Sequence, residues 1–469
     1  MNALRHFIAA ASAAALLGCQ TYRPQPLTAA AVDQALLPPQ PAQLTVQTEA
    51  LRHPLLLPLT VDLADGLSPD EAAVVAVLVN PSLRAVRDER ALADAQLLQA
   101  GLLPNPQLSA SFDKPTAGAT KGTFNAYGLG VDWDISELVG RRAGIEAARA
   151  GRAAVDLDVA WQEWQVAQAA RLAVYDLLGL QERVALATEM THRLADNLAL
   201  VRKAVEAGLM TELDLAAAET ASNQAQANLV DLTKQSGQQR LALNQALGLP
   251  HDTQVPLQHG LALPSHLEAP AEPTILAGLE DRRLDLVALR KGYESQEASL
   301  RKAVLQQFPK INIGLNEARD TSNVITTGLA VSVGLPIFDR NQAAIAQEQA
   351  TRQRLFDEYV NRIFEARAEI ARLLDNARGI EAQIRVTQEA EPSLQHLVDT
   401  YRLALDKGQA DVLSYYTAWN DLTAKRLEVV SLKQQLADTQ VALEIAAGAY
   451  HLNAIGQPAA RPATHEEQQ

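Results

Sequence analysis

The sequence predicts a mainly α-helical protein with a β-barrel portion, built from two copies of one structural unit. Three observations predict it. Residues recur at a fixed offset of 200: Gly128-Leu129 with Val131 matches Gly328-Leu329 with Val331, Ala143 and Ile145 match Ala343 and Ile345, Gly208 and Leu213 match Gly408 and Leu413, and Gly248 matches Gly448. Such self-similarity marks an internal duplication. Each copy holds two short segments in which apolar and small or polar residues alternate, the period of a strand. Each strand pair then gives way to a long stretch with the heptad period of packed helices.

The chain opens with an export signal. Arg5 and His6 precede an apolar run from Phe7 to Leu17, which at about 11 residues is too short to span a bilayer as a helix. It ends in Leu16-Leu17-Gly18-Cys19, which resembles the bacterial lipobox, a signal in which the cysteine becomes the new N-terminus and carries acyl chains. Cys19 is the only cysteine in the chain, so a disulfide framework and a cysteine-based metal site are excluded. Gln20 in place of Asp after it resembles the sorting pattern for the outer membrane. The signal peptide is assigned to 1–18. Residues 19–66, rich in proline and without periodicity, are assigned to an extended, lipid-anchored arm.

The first repeat is assigned to 67–248. A helix is predicted from Ser68, with Pro69 at its first position and Asp70-Glu71 in its first turn, stopping before Asn80-Pro81. A second helix is predicted from Ser82 to about Leu102. The strand pair occupies 107–135: Leu108, Ala110 and Phe112 alternate with Ser109 and Ser111, and Tyr127, Leu129, Val131 and Trp133 alternate with Gly128, Gly130, Asp132 and Asp134. A helical hairpin follows over 143–247, its seam of Val159, Val166, Ala170, Ala173, Leu177, Leu180, Val184 and Ala187 interrupted by Glu163. Residues 249–273 form a linker containing proline and histidine.

The second repeat, 274–448, has a helix, a strand pair over 310–335 and a hairpin over 341–447. Its seam is Phe356, Tyr359, Ile363, Ala366, Ile370, Leu373, Ala377, Ile380 and Ile384, and Pro392 lies within the helix. About 65 residues at 1.5 Å each make a helix of about 100 Å, longer than a compact domain needs. Both hairpins turn at a glycine, Gly208 or Gly408, with Thr211 or Asp411 placed to cap the returning helix. Residues 449–469 are assigned to a polar tail.

Composition narrows the function. The net charge of −14, from 41 basic and 55 acidic residues, argues against nucleic acid. Apolar residues make up 48% of the chain but aromatics only 4%, so small side chains dominate and suit close helix packing. After residue 19 no run is apolar and long enough for a transmembrane helix, so any crossing must be a β-barrel. Four strands with one apolar face cannot close one. Either the sheet is open and packs on helices, or several chains share a barrel as a cyclic homo-oligomer. No catalytic or nucleotide motif is present, the nine histidines are scattered, and no cofactor or metal site is expected.

In this order and duplication, Asn80-Pro81-Ser82-Leu83, Pro104-Asn105-Pro106, Gly208 to Asp214, Leu335-Pro336-Ile337-Phe338-Asp339-Arg340-Asn341-Gln342 and Gly408 to Leu413 resemble the TolC family of outer-membrane efflux components. Within it, 100–106 and 336–342 look most like the cobalt–zinc–cadmium branch. The resemblance implies a homotrimer with a twelve-stranded barrel, a periplasmic α-barrel, and docking on a periplasmic adaptor below which sits an inner-membrane RND pump. It implies a passive duct, not an enzyme, with metal cations or organic drugs as cargo. Asp411, and secondly Asp214, are candidate pore-gate acids; repeated around a symmetry axis, each would favour cations. Each is equally a helix-capping carboxylate by position. Gly208, Leu209, Met210, Leu213, Gly408, Gln409, Ala410 and Leu413 are candidate adaptor-docking residues. The remaining alternative is a lipid-anchored helical scaffold without a pore, which predicts a water-soluble monomer once Cys19 is removed.

Overall fold

The computed structural model describes residues 21–37, 41–56, 59–61, 65–407 and 409–455. Contacts divide the chain into two units, 1–39 and 40–469. The described part of the first contains one helix, α1 (Ala29–Leu36), capped by Thr28, whose hydroxyl accepts from the Ala31 amide.

The second unit begins with α2 (Pro41–Glu49), α3 (Pro69–Val79) and α4 (Ser82–Gly101). The start of α3 follows from its sequence. Ser68 accepts from the Glu71 amide and Glu71 returns a carboxylate to the Ser68 amide, so two otherwise orphan donors are satisfied, with Pro69 at the first helical position. Strands β1 (Gln107–Asp113) and β2 (Ala126–Asp134) lead into α5 (Glu137–Glu206), a single helix of 70 residues. A turn at Gly208 returns the chain as α6 (Glu212–Leu247).

The second repeat follows the same plan. Two short helices, α7 (Glu272–Leu276) and α8 (Leu279–Arg282), precede α9 (Leu284–Leu305), β3 (Lys310–Arg319), β4 (Ile325–Gly334), α10 (Gln342–Asp406) and α11 (Val412–Ala447). The offset of 200 survives to the residue at the helix ends: α5 and α10 stop at 206 and 406, and α6 and α11 span 212–247 and 412–447. At 1.5 Å per residue α5 is about 105 Å long. Pro392 sits inside α10 without ending it.

The duplication extends to packing. Gly248 and Gly448 end α6 and α11 in the left-handed conformation (φ +74° and +64°). A Cβ on Gly248 would lie 2.5 Å from Asn80 Cα, and one on Gly448 2.8 Å from Arg283 Cα. Each glycine therefore lets the end of a returning helix meet the start of the shorter helix in its own repeat. Asn80 donates to the Ala246 carbonyl at 2.9 Å, and Arg283 to the equivalent Ala446 carbonyl at 3.3 Å.

Three differences from the sequence expectations are physical. The arm is not wholly extended: it contains α1 and α2, and Leu44, Leu56 and Val61 are buried. Their apolar side chains have no helical period, so burial was not visible in them. The packed chain also runs past 448, because Ala449, Tyr450, Leu452 and Ile455 are buried, the last two in one core with Leu279 of α8 and Leu286 of α9. In α10 the predicted seam is buried from Ala366 onward, whereas Phe356 is exposed in the single chain.

Candidate functional site

The four strands form one antiparallel sheet in the order β1-β2-β3-β4. Its register sorts the faces. Leu108, Val131, Leu315 and Leu329 pair in one row across all four strands, and Ile313 lies between Trp133 and Val331 in the next. These side chains form an apolar face without a partner among the described residues, with Leu108, Leu315 and Leu329 exposed to 72%, 63% and 70%. The opposite face carries Ser109, Gly130, Asn316 and Gly328 in one row and Gln107, Asp132, Gly314 and Ala330 in another. Polar tips lie over the glycines: a Cβ at Gly128, Gly130, Gly314 or Gly328 would collide with Ser111, Ser109, Asp132 or Asn316. An apolar face without protein cover, backed by a polar face, matches a barrel wall between lipid and water. At the helical end of the sheet Trp133 donates its indole N–H to the Pro104 carbonyl at 2.8 Å, so its ring covers the wall while its polar edge is satisfied.

The far ends of the long helices form the second part of the site. Leu194 and Val201 of α5, Ala218 and Ala225 of α6, Val398 and Leu405 of α10, and Tyr415, Trp419 and Leu422 of α11 pack together, so the tips of both repeats share a core. Tyr416 donates to Asn197 at 2.6 Å, and burial raises the pKa of its hydroxyl. Arg193 lies over the Trp419 ring, 5.1 Å from its centroid.

Both candidate gate acids are helix caps in this chain. Asp214 completes a capping box with Thr211: it accepts from the Thr211 hydroxyl at 2.7 Å and amide at 2.9 Å, and these bonds hold its carboxyl below the usual range. Asp411 is the N-cap of α11 and accepts from the Ser414 amide at 2.6 Å. Both are exposed. Of the candidate docking residues, Leu209, Leu213 and Leu413 are exposed at the two turns, Leu209 to 81%. Gln409 is exposed, Gly208 adopts φ +70°, and Met210 turns inward against the tip core. Gly408 and Cys19 lie outside the described residues.

Buried and half-buried charged groups escaped the sequence reading. Glu163, the interruption in the first seam, is 6% exposed and receives Arg87 Nε at 2.6 Å and Arg90 at 3.4 Å. Arg171 and Glu444, 2% and 0% exposed, form an ion pair between the middle of α5 and the end of α11, with Asp70 of α3 at 3.3 Å from Arg171 Nε. On α11, Asp438 faces Asp176 of α5, which accepts from Gln434 at 2.7 Å and Gln239 at 3.2 Å. One Asp438 oxygen is buried without a hydrogen-bond partner, and burial, then the Asp176 charge, pushes its carboxyl up to about 6.

The sign of that last effect is testable. A carboxyl raised above its unfolded value of about 3.9 costs stability wherever it must ionise. The favourable state holds in acid and is lost as pH rises from about 4 through about 6. Asp438→Asn is expected to raise the Tm at neutral pH and to leave it unchanged near pH ~2.5, below both values, where the carboxyl is protonated in both states. Melting of detergent-solubilised protein at the two pH values checks this, and an equal change at both would contradict it.

Among the described residues, no helix is long and apolar enough to cross a membrane, and no group of three or more His, Cys, Asp or Glu is placed to hold a metal ion. A family model described as outer membrane efflux protein matches residues 75–249 and 276–449, one segment for each repeat and together well over half of the chain. The chain belongs to the outer membrane efflux protein family. The cobalt-zinc-cadmium resistance protein CzcC of Cupriavidus metallidurans is 27% identical to this efflux protein over 304 residues, 64% of this chain and 70% of that one. In fold the efflux protein resembles CusC, with a TM-score of 0.68 and 19% identity over 82% of this chain and 93% of that chain. It also resembles the outer membrane channel CmeC of Campylobacter jejuni, with a TM-score of 0.70 and 16% identity over 83% and 87% of the two chains. Family and fold are those of efflux channels rather than of enzymes. They give the efflux protein its location, the outer membrane with helices reaching into the periplasm.

Proposed function

We propose that three copies of this chain pool their sheets into one twelve-stranded barrel and act as the passive exit duct of a tripartite pump. The observation that carries this reading is the sheet itself: among the described residues β1 and β4 are edges, and no helix covers the apolar face between them. An open edge and a bare apolar face are both removed by closure in lipid. The helical tips, with Leu209, Leu213 and Leu413 exposed and Gly208, Met210, Gly408, Gln409 and Ala410 next to them in sequence, would meet a periplasmic adaptor that couples the duct to an inner-membrane RND pump. Cys19 would carry the acyl anchor.

Divalent metal cations are the proposed cargo, on the support of the similarity to a cobalt, zinc and cadmium resistance protein. Deleting the gene should sensitise the cell to these ions. Sensitisation to organic drugs alone would instead assign organic cargo. Asp411 is the proposed gate acid. Because it also caps α11, Asp411→Asn is the informative change: asparagine caps as well as aspartate, so the turn persists while the charge is lost. Single-channel recording should show weaker cation preference in this variant. Unchanged selectivity would remove Asp411 from the pore.

A further inference from the structure

His53 lies in the segment that leads from α2 towards α3, and its side chain is 2% exposed. Both ring nitrogens are committed. Nδ1 accepts from the amides of Leu55 at 3.1 Å and Leu56 at 3.2 Å. Two donors aimed at one nitrogen require that nitrogen to be bare, so the ring proton sits on Nε2, which donates to the Ala160 carbonyl of α5 at 3.0 Å. The ring thus joins a bend in the segment to the middle of the longest helix. Around it the segment is anchored by apolar burial: Leu56 packs with Ala73, Val77, Trp161 and Trp164, and Leu51 and Leu55 lie against the same core.

A second proton has no place in this arrangement. On Nδ1 it would point at two N–H groups. The charged groups facing the ring are Glu163 of α5, 3.8 Å from Nε2, and Arg87 and Arg90 of α4. Glu163 would favour an imidazolium, but it is already engaged by both arginines, which oppose one. We propose that His53 is an acid-sensitive clasp: neutral, it fastens residues 51–56 to α5, and protonated, it releases them. Burial holds its pKa below the ordinary value, in agreement with the geometry.

The linkage has a definite sign. The released ring titrates at about 6.5, and the docked ring titrates lower. The clasp is fully closed above the released value. As pH falls between the two values, the released state binds the proton and gains up to about tenfold in population per pH unit. Release would uncover the Trp161–Trp164 face of α5 and free the link between the N-terminal arm and the helical body.

Hydrogen exchange read by mass spectrometry on the full chain in detergent, corrected for intrinsic rates at each pH, tests this. The Leu55 and Leu56 amides should lose protection on acidification, with the helices and strands still protected. His53→Gln, which cannot titrate, should hold them protected in acid, and Glu163→Gln should leave them protected at neutral pH and released in acid. Protection that persists until the whole fold opens would overturn the clasp, as would acid release that is identical in His53→Gln. If His53→Gln fails to dock at neutral pH, Glu163→Gln decides: loss of protection at neutral pH would assign release to the carboxylate and overturn the proposal.

Discussion

Replacing Arg171 with alanine is expected to cost about 3–5 kcal/mol of stability, the penalty for leaving a buried charge without its partner. Glu444 is fully buried, and without the guanidinium it would keep only amide donors, Gln168 and Gln440, each at 3.3 Å. Asp70 would lose one of its partners, keeping His451 at 3.8 Å. Burial raises the pKa of Glu444, and Arg171 is the strongest influence pulling it back down. The pair joins α5 of the first repeat to α11 of the second, so its loss should loosen the contact between repeats. Guanidinium unfolding of the detergent-solubilised protein would measure the effect. Arg171→Met combined with Glu444→Leu should recover most of the loss, because two apolar side chains remove the desolvation cost with the attraction. A single variant as stable as the parent would show that the pair contributes nothing at this junction.

The second large effect concerns the barrel wall. Leu315 sits mid-strand in the row Leu108, Val131, Leu315 and Leu329, and a lipid-facing position at that height is among the least tolerant of charge. Leu315→Arg should destabilise the folded, membrane-inserted protein by about 2–4 kcal/mol, the range for a cation at the midplane of a barrel. Asn316→Arg, one residue on and facing the other way, should cost far less and alter conductance instead. Folding into lipid vesicles followed by urea titration compares the two. Equal costs would mean that the faces are not lipid and water.

The sequence carried the elements well wherever local chemistry decides them. Ser68-Pro69-Asp70-Glu71 predicts a helix start because the serine, proline and glutamate each act within one turn, and α3 begins there. The strands were legible because period two survives only where one face differs from the other, and the register places the predicted rows on common faces. The duplication was legible because Gly248 and Gly448 each allow a close approach that a side chain would block.

What stayed hidden depends on partners distant in sequence. Glu163 reads as a flaw in a heptad seam until Arg87 and Arg90, 76 and 73 residues away, are brought beside it. Arg171 and Glu444 are 273 residues apart, and nothing in either helix alone marks them. The acids at the tips show the reverse limit. Residue type predicted both a cap and a pore role for Asp214 and Asp411; the cap is formed within one chain, whereas a pore role needs other copies of the chain to complete it.

The most direct measurement is the mass of the mature protein lacking Cys19, purified in detergent, by light scattering with the detergent contribution subtracted. A shared barrel predicts three times the mass of the processed chain, each copy being the 50.6 kDa sequence less its first 19 residues, and loss from solution when detergent is withdrawn. A single chain that remains dissolved and folded in detergent-free buffer would contradict it.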